Sequence, residues 1–474
     1  VLPIVLAIVL VVLAVAGGGT AVALNYDKLF GPKDQPTTAP TSDPSDPSPE
    51  PTGSASPSPT ADASGKITWQ IDQKTRGKPR NTLAFWVTDG LAIHATDYDV
   101  MAFDAENGKQ AWRFAAPLID KGTGTQKVCG ASSTVQDGKV AVTYGAGLKQ
   151  GTVTTFTCTG IALVDVKTGK AVWTSDLRAG GPPPQLFSPT AQVEITGTNV
   201  TVRTTTQLVG YGVADGKRKW MGQVLVPGRP DRVCVFNDLL PSPDGGYGLA
   251  QCGLSDTLSV VEIIPDNGIP GRTDIPKDVA GVVPCCGTIV ASSPLVVAVR
   301  AEQSKVAGRY LVYDDQNRMR AKIIRGKAAS DDLNHLWQSF DNGGHQFRRV
   351  AVSDQVLVAP TMTERNGSAK LIGFDLVDGR QVWETTLGKG IAPVIVGIDG
   401  QSVIAIGRKA SDEDPLPLVR VSLANGKVTP IANGFAGSGL NYAVDESRLI
   451  WADGAVYGAT WSIASHRPAL FRLG

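Results

Sequence analysis

The chain has no charge excess of either sign. Its 45 Lys and Arg residues face 44 Asp and Glu residues, a net charge of +1. A phosphate backbone would meet no basic surplus, and no basic run with interleaved aromatics occurs, which excludes a general nucleic-acid role. Histidine is scarce as well: only His94, His335, His345 and His466 are present. No Gly-x-Ser-x-Gly elbow and no Gly-x-x-x-x-Gly-Lys-(Ser/Thr) loop is found, so neither an α/β-hydrolase nucleophile nor a phosphate cradle is encoded. Asp412, Glu413 and Asp414 read as a solvated loop, not an acid/base pair. The first cysteine is Cys129, so no lipid-anchoring Cys lies near Val1.

What the chain has instead is a recurring phrase, Gly-(Lys/Arg)-x-x-Trp. It ends at Trp69, Trp112, Trp173, Trp220 and Trp383, and a copy without Trp stands at Gly426-Lys427. Three copies carry Asp four residues before the Gly, at Asp104, Asp165 and Asp375. The phrase reads as a strand, a turn whose Gly takes positive φ, and a second strand opening toward the Trp. Recurrence at roughly 45–60 residues, with about four short apolar runs per unit, is the sign of a β-propeller. The first unit runs from Ala84-Phe85-Trp86-Val87 to Ala111-Trp112-Arg113-Phe114, and similar units follow near 133–177, 191–224, 246–276, 288–324, 347–388, 394–432 and 441–473. The expectation is an all-β chain with one propeller of eight four-stranded blades, seven being the alternative. The Gly65–Trp69 copy suits ring closure against the last blade, although Ala469-Leu470-Phe471 competes for the same strand. A large aromatic on an outer strand packs between adjacent blades, so the five tryptophans are expected to be structural.

Ahead of the repeats the composition changes twice. Residues 1–24 hold no charge and, as a helix rising 1.5 Å per residue, exceed the roughly 30 Å hydrocarbon core, so a transmembrane anchor or uncleaved signal is expected there. Residues 25–65 turn to Pro, Ser, Thr and Asp and are expected to form a disordered linker, reaching roughly 100 Å or less when extended. The propeller is assigned to 66–474. With no Met or basic flank before Val1, a further upstream segment is expected. The expected location is the cell membrane, with the propeller on its extracytoplasmic side.

Six cysteines fit an oxidising compartment if they pair. In the repeat frame Cys129 precedes strand A of blade 2 and Cys158 lies just before its strand C, while Cys234 and Cys252 take corresponding places in blade 4. Strand A starts, and strand B ends, on the same end of a propeller, so the pairs Cys129–Cys158 and Cys234–Cys252 are expected as loop clamps. Cys285-Cys286 is an adjacent pair entering blade 5, either closing a strained ring or remaining thiols. The segment from Asp331 to His345 is the longest insertion, polar yet aromatic, and its blade position sets it on the same end. One reading makes His335, Trp337 and His345 a ligand or metal loop. The other makes it a surface loop anchored by Trp337 and Phe340, and the ten-residue His spacing matches no ligand pattern.

On the Asp-x-x-x-Gly-Lys-x-x-Trp phrase, the region 67–474 resembles the PQQ-like, quinoprotein-type β-propeller repeat family. The resemblance implies the fold, and a shared fold hosts unrelated activities. In the family's calcium-dependent alcohol dehydrogenases a disulfide of neighbouring cysteines lies against the quinone, a role that would fall to Cys285 and Cys286. No calcium donor set or catalytic Asp of that family is matched here. The function expected is therefore a non-enzymatic binding, sensing or scaffold module with no cofactor. It would be held by the membrane and bind an unknown envelope ligand or protein on the loops entering each strand A, including 116–130, 276–288 and 325–346. The alternatives are a PQQ- and calcium-dependent oxidoreductase and the external sensor of a membrane kinase.

Overall fold

Short runs rich in Val, Ile and Ala, cut by Asp-Gly turns, fold here into successive four-stranded antiparallel sheets. The computed structural model describes residues 65–72, 81–117, 126–150, 153–178, 191–253, 257–275, 284–301, 309–324, 350–361, 369–409, 414–436, 439–461 and 468–474. They all belong to one body, Pro59–Gly474. Residues 1–64, with the expected anchor and nearly all of the linker, lie outside this description. Among the described residues no helix is long and apolar enough to cross a membrane.

Blade 1 shows how the sequence sets a sheet. Strands Thr82–Thr88 and Leu91–Thr96 are joined by Asp89 (φ 50°) and Gly90 (φ 72°), the positive-φ pair that matches strand twist in a tight hairpin. Asp99–Asp104 and Gln110–Ala115 complete the blade. The first three strands are buried on both faces and read as apolar runs, whereas the fourth is mostly exposed and reads as mixed. Inner strands A of blades 2 to 8 are Gln126–Ala131, Gln192–Thr196, Val235–Ser242, Pro284–Ser292, Ala351–Val352, Ala392–Asp399 and Ser447–Ala452. Blades 2 and 4 thus start earlier than the repeat suggested, at 126 and 235 instead of 133 and 246, because polar residues, Gln126 with Lys127 and Asn237 with Asp238, interrupt the apolar pattern that marks a strand. The last unit starts later, since Leu440–Asp445 forms a helix, α1.

The ring closes between the chain's two ends. Ile67–Asp72 pairs antiparallel with Pro468–Leu473, Gln70 facing Phe471, and becomes the outer strand of blade 8. Residues 469–471 supply strand C, not the outer strand, which resolves the competition between the two segments and gives eight blades. Apolar clusters join each neighbouring pair of blades around the full ring, from the blade 1–2 cluster that holds Trp86, Val128 and Val140 to the blade 8–1 cluster that holds Tyr457 and Phe85.

The repeated Gly and Trp meet, but across blades. Trp69, Trp112, Trp173, Trp220 and Trp383 lie on the turn glycines of the following blade, Gly108, Gly169, Gly216, Gly268 and Gly426. These glycines have φ between 64° and 72°. A Cβ on Gly169 would stand 2.5 Å from the Trp112 ring. Four of the five indoles donate Nε1–H to a carbonyl of that turn: Trp69 to Ala105 (3.0 Å), Trp112 to Val166 (2.9 Å), Trp173 to Val213 (2.7 Å) and Trp383 to Leu423 (2.7 Å). Four residues after Gly268, where other copies carry Trp, stands Arg272. The next blade's turn then tolerates a side chain, Asn317 at φ 56°. The conserved-looking Asp of the phrase ties the same turn: Asp104 accepts from the amides of Glu106 and Asn107 at 3.0 Å. Asp165 accepts from the Thr168 hydroxyl at 2.8 Å and amide at 2.9 Å, and these bonds hold its carboxyl below the ordinary aspartate range.

Two outcomes follow. Gly90→Ala, with positive φ and open space, should cost about 1–2 kcal/mol. Gly169→Ala should cost about 1–3 kcal/mol more, because the Trp112 ring must move; equal losses in urea unfolding would refute the wedge. A carboxyl with a depressed folded pKa stabilises above its unfolded value and loses that contribution as pH falls through the folded one. Asp165→Asn should therefore flatten the stability loss below about pH 4, and an unchanged acid slope would refute it.

Candidate functional site

A four-stranded blade sends its A-to-B and C-to-D connections to one end of the ring and its B-to-C and D-to-A connections to the other. The first end consists of short turns. The second carries every elaboration among the described residues: a hairpin of Leu225–Val226 with Arg229–Val233 between blades 3 and 4, helix α1 between blades 7 and 8, and long strands Lys139–Gln150 and Val153–Asp165 extending blade 2. Both disulfides are here too.

Cys129 bonds Cys158, with Cα atoms 6.1 Å apart, and Cys234 bonds Cys252, with Cα atoms 4.3 Å apart. The placement differs in detail from the repeat reading. Cys129 lies inside strand A, at a bulge between Val128 and Gly130, and Cys158 lies inside strand C. Val235 faces Gln251 across strands A and B of blade 4, so Cys234 and Cys252 are the next pair in that register. Each disulfide pins the root of a connection to its blade.

Beneath this end runs a buried polar chain that joins blades 2 to 5. The Thr143 hydroxyl donates to the Ala191 carbonyl at 2.6 Å. Glu194, 1 % exposed, accepts from the Ser133 amide (2.8 Å) and hydroxyl (2.9 Å). Gln192 donates to the Leu239 carbonyl at 2.6 Å and accepts from Arg203 Nε at 2.8 Å, while Arg203 also donates to the Phe236 carbonyl. Fully buried Asp238 accepts from the Thr288 hydroxyl (2.8 Å) and the Ile289 amide (2.7 Å) of blade 5. Burial lowers the Arg203 pKa and the Asp238 charge opposes that shift. At the ring's other seam His94 Nε2 donates to the Thr82 hydroxyl (2.7 Å), which donates to the Thr460 carbonyl (2.6 Å). These groups hold blades together. The sequence signal for them is polar residues at alternate positions of an inner strand, Gln192, Glu194 and Thr196, where other blades place Val and Ala.

Cys285 and Cys286 enter the same strand as Thr288, Pro284–Ser292, with Cys286 facing Arg300; their side chains lie outside the description. His335, Trp337 and His345 also fall outside the described residues. Among the described residues no three His, Cys, Asp or Glu side chains converge to hold a metal. The buried carboxylates Glu194 and Asp238 are committed to inter-blade bonds.

The fold is that of an eight-bladed β-propeller. Residues 59–244 match the repeat model described as outer membrane protein assembly factor BamB. Those residues carry that repeat. No curated protein matches it. Solved structures of similar outline include BamB from Moraxella catarrhalis, at 12 % identity and TM-score 0.44, covering 85 % of this chain and 97 % of that one. Quinohemoprotein alcohol dehydrogenase from Comamonas testosteroni is similar at 14 % identity and TM-score 0.47, covering 86 % and 75 %. A europium-containing methanol dehydrogenase is similar at 13 % identity and TM-score 0.46, covering 83 % and 84 %.

Asp238→Ala leaves a buried hydroxyl and the Ile289 amide short of an acceptor, removes the charge opposite Arg203 and should cost about 3 kcal/mol or more, whereas Asp238→Asn keeps one oxygen and should cost less. Equal, small losses for both variants in urea unfolding would show that the latch between blades 4 and 5 contributes little.

Proposed function

We propose that this chain is a non-enzymatic binding, sensing or scaffold module outside the cytoplasm, tethered to the cell membrane through residues 1–24, whose ligand is taken by the end of the ring where the D-to-A and B-to-C connections meet. The observation that carries this reading is the asymmetry of the two ends. One end is short turns whose polar atoms are spent inside the blades; the other holds the hairpin, helix α1 and both disulfides. Connections can differ there while the blades stay rigid, which is how a scaffold carries recognition. The two disulfides support an oxidising compartment.

A photoreactive residue placed at Tyr442 in α1 (52 % exposed) or at Val377 in a turn of the opposite end (54 % exposed) tests this directly. Crosslinks to envelope proteins are expected from Tyr442 only. Crosslinks from Val377 alone, or from neither site, would overturn the assignment of the face. A rise in melting temperature with PQQ and Ca²⁺, about 2.7 kcal/mol of stabilisation at a hundred times the dissociation constant, would replace the reading with a quinone-dependent oxidoreductase.

A further inference from the structure

The connection between blades 3 and 4 is built unlike the other described connections. After the outer strand Arg218–Gly222 the chain forms its own two-stranded sheet, Leu225–Val226 with Arg229–Val233, turning on Pro227 and Gly228 at φ 68°. The hairpin does not lie flat on the outer strand of blade 4, Gly268–Ile275. A cavity of about 430 Å³ remains between them, large enough for a ligand. Its walls are apolar, from Val224, Leu225, Val226, Pro227, Pro230 and Ile269. Leu225 is 47 % exposed, a large apolar side chain only half covered by the described residues.

Three further features narrow what fits. The lining holds two guanidinium groups, Arg229 and Arg272, and no carboxylate. Arg272 is fixed across the slot by a 2.6 Å bond to the Leu225 carbonyl and a 3.2 Å pair with Asp274. Arg229 meets Asp231 only at 3.7 Å with both side chains more than half exposed, a weak pair that another carboxylate can replace. Both walls are strand edges: among the described residues the outer strand of blade 4 pairs on one side alone, and Leu225–Val226 pairs only with Arg229–Val233. Such edges offer main-chain donors and acceptors to an added extended segment. Gly271 opens the middle of the slot, since a Cβ there would have no atom within 4 Å.

We infer that this slot docks an extended peptide segment of a partner protein in which apolar and acidic side chains alternate. The apolar side chains enter between Leu225 and Ile269, a carboxylate meets Arg229, and the peptide backbone lies along the strand edges. The inference rests on the reading of this end of the ring as the recognition surface and names one class of partner for it.

Fluorescence anisotropy of the full chain with a labelled, acetylated hexapeptide of alternating valine and glutamate is the test, and the same peptide with lysine for glutamate is the control. The acidic peptide is expected to bind saturably and at least tenfold tighter than the basic one. Gly271→Leu places its side chain in open space at an ordinary φ, so it should fold, retain the parent melting temperature and abolish binding. Arg229→Glu, at an exposed position, should reverse the preference between the two peptides. No saturable binding at millimolar peptide, equal binding of both peptides, or unaltered binding by either folded variant would overturn the proposal. Binding of decanoate that the peptide does not displace would overturn it too and mark a site for small amphipathic acids. Loss of the slot with persistent crosslinks from Tyr442 would leave the recognition face standing, so the two readings fail separately.

Discussion

An indole ring seated on a glycine of the next blade is the contact on which the rest of this ring depends. The two halves of the Gly-(Lys/Arg)-x-x-Trp phrase do not serve each other within one copy. Trp112 needs Gly169, Trp173 needs Gly216, and at five of the eight junctions the Trp of one repeat meets the Gly of the next. The constraint is double: the turn requires positive φ, and the ring leaves no room for a Cβ. The indole N–H then bonds the turn carbonyl it covers, so the aromatic is both wedge and donor. A repeat built this way cannot bury its outer strand alone and closes only as a ring. The strand at Trp69, supplied from the start of the body, completes the last blade.

Where the wedge is missing, the junction is held by other means. Arg272 replaces Trp at the end of blade 4, and the contact to blade 5 passes instead to Asp238, Thr288 and the Ile289 amide. Blade 3 is bound to blade 4 by the Trp220–Gly268 contact and by the bonds of Gln192 to the Leu239 carbonyl and of Arg203 to the Phe236 carbonyl. The departure from the repeat falls beside the inserted hairpin and the Cys234–Cys252 bond. Release from the outer wedge and growth of a new connection thus occur at the same part of the rim.

The rigid blades separate the two ends of the molecule chemically. Turns such as 104–108 and 165–169 consume their own carboxylates and amides, which lowers the pKa of Asp165 and leaves little unspent polarity. The other end places its extra chain on roots fixed by disulfides. Recognition assigned to that end draws on a frame that does not have to deform to change a loop.

Much of this was readable from residue order. The Trp-ended phrase and its spacing gave the propeller, because strand–turn–strand geometry is local and repeats. The pairing of Cys129 with Cys158 and of Cys234 with Cys252 followed from which strand ends share one side of a blade. Local order could not say that Trp and Gly of different repeats touch, since that contact spans about a blade's length of chain and exists only once blades stand side by side. Nor could it choose between Ile67–Asp72 and Pro468–Leu473 for the outer strand of blade 8, as both are short apolar runs and only the closed register assigns Gln70 opposite Phe471. Strand starts at Gln126 and Val235 were hidden because polar residues, Gln126 with Lys127 and Asn237 with Asp238, break the hydrophobic period. Asp238, Arg203 and the slot beside Leu225 were decided by tertiary structure alone. A buried charge or an uncovered apolar wall is defined by what the neighbouring blade brings to it, and that neighbour lies far away in sequence.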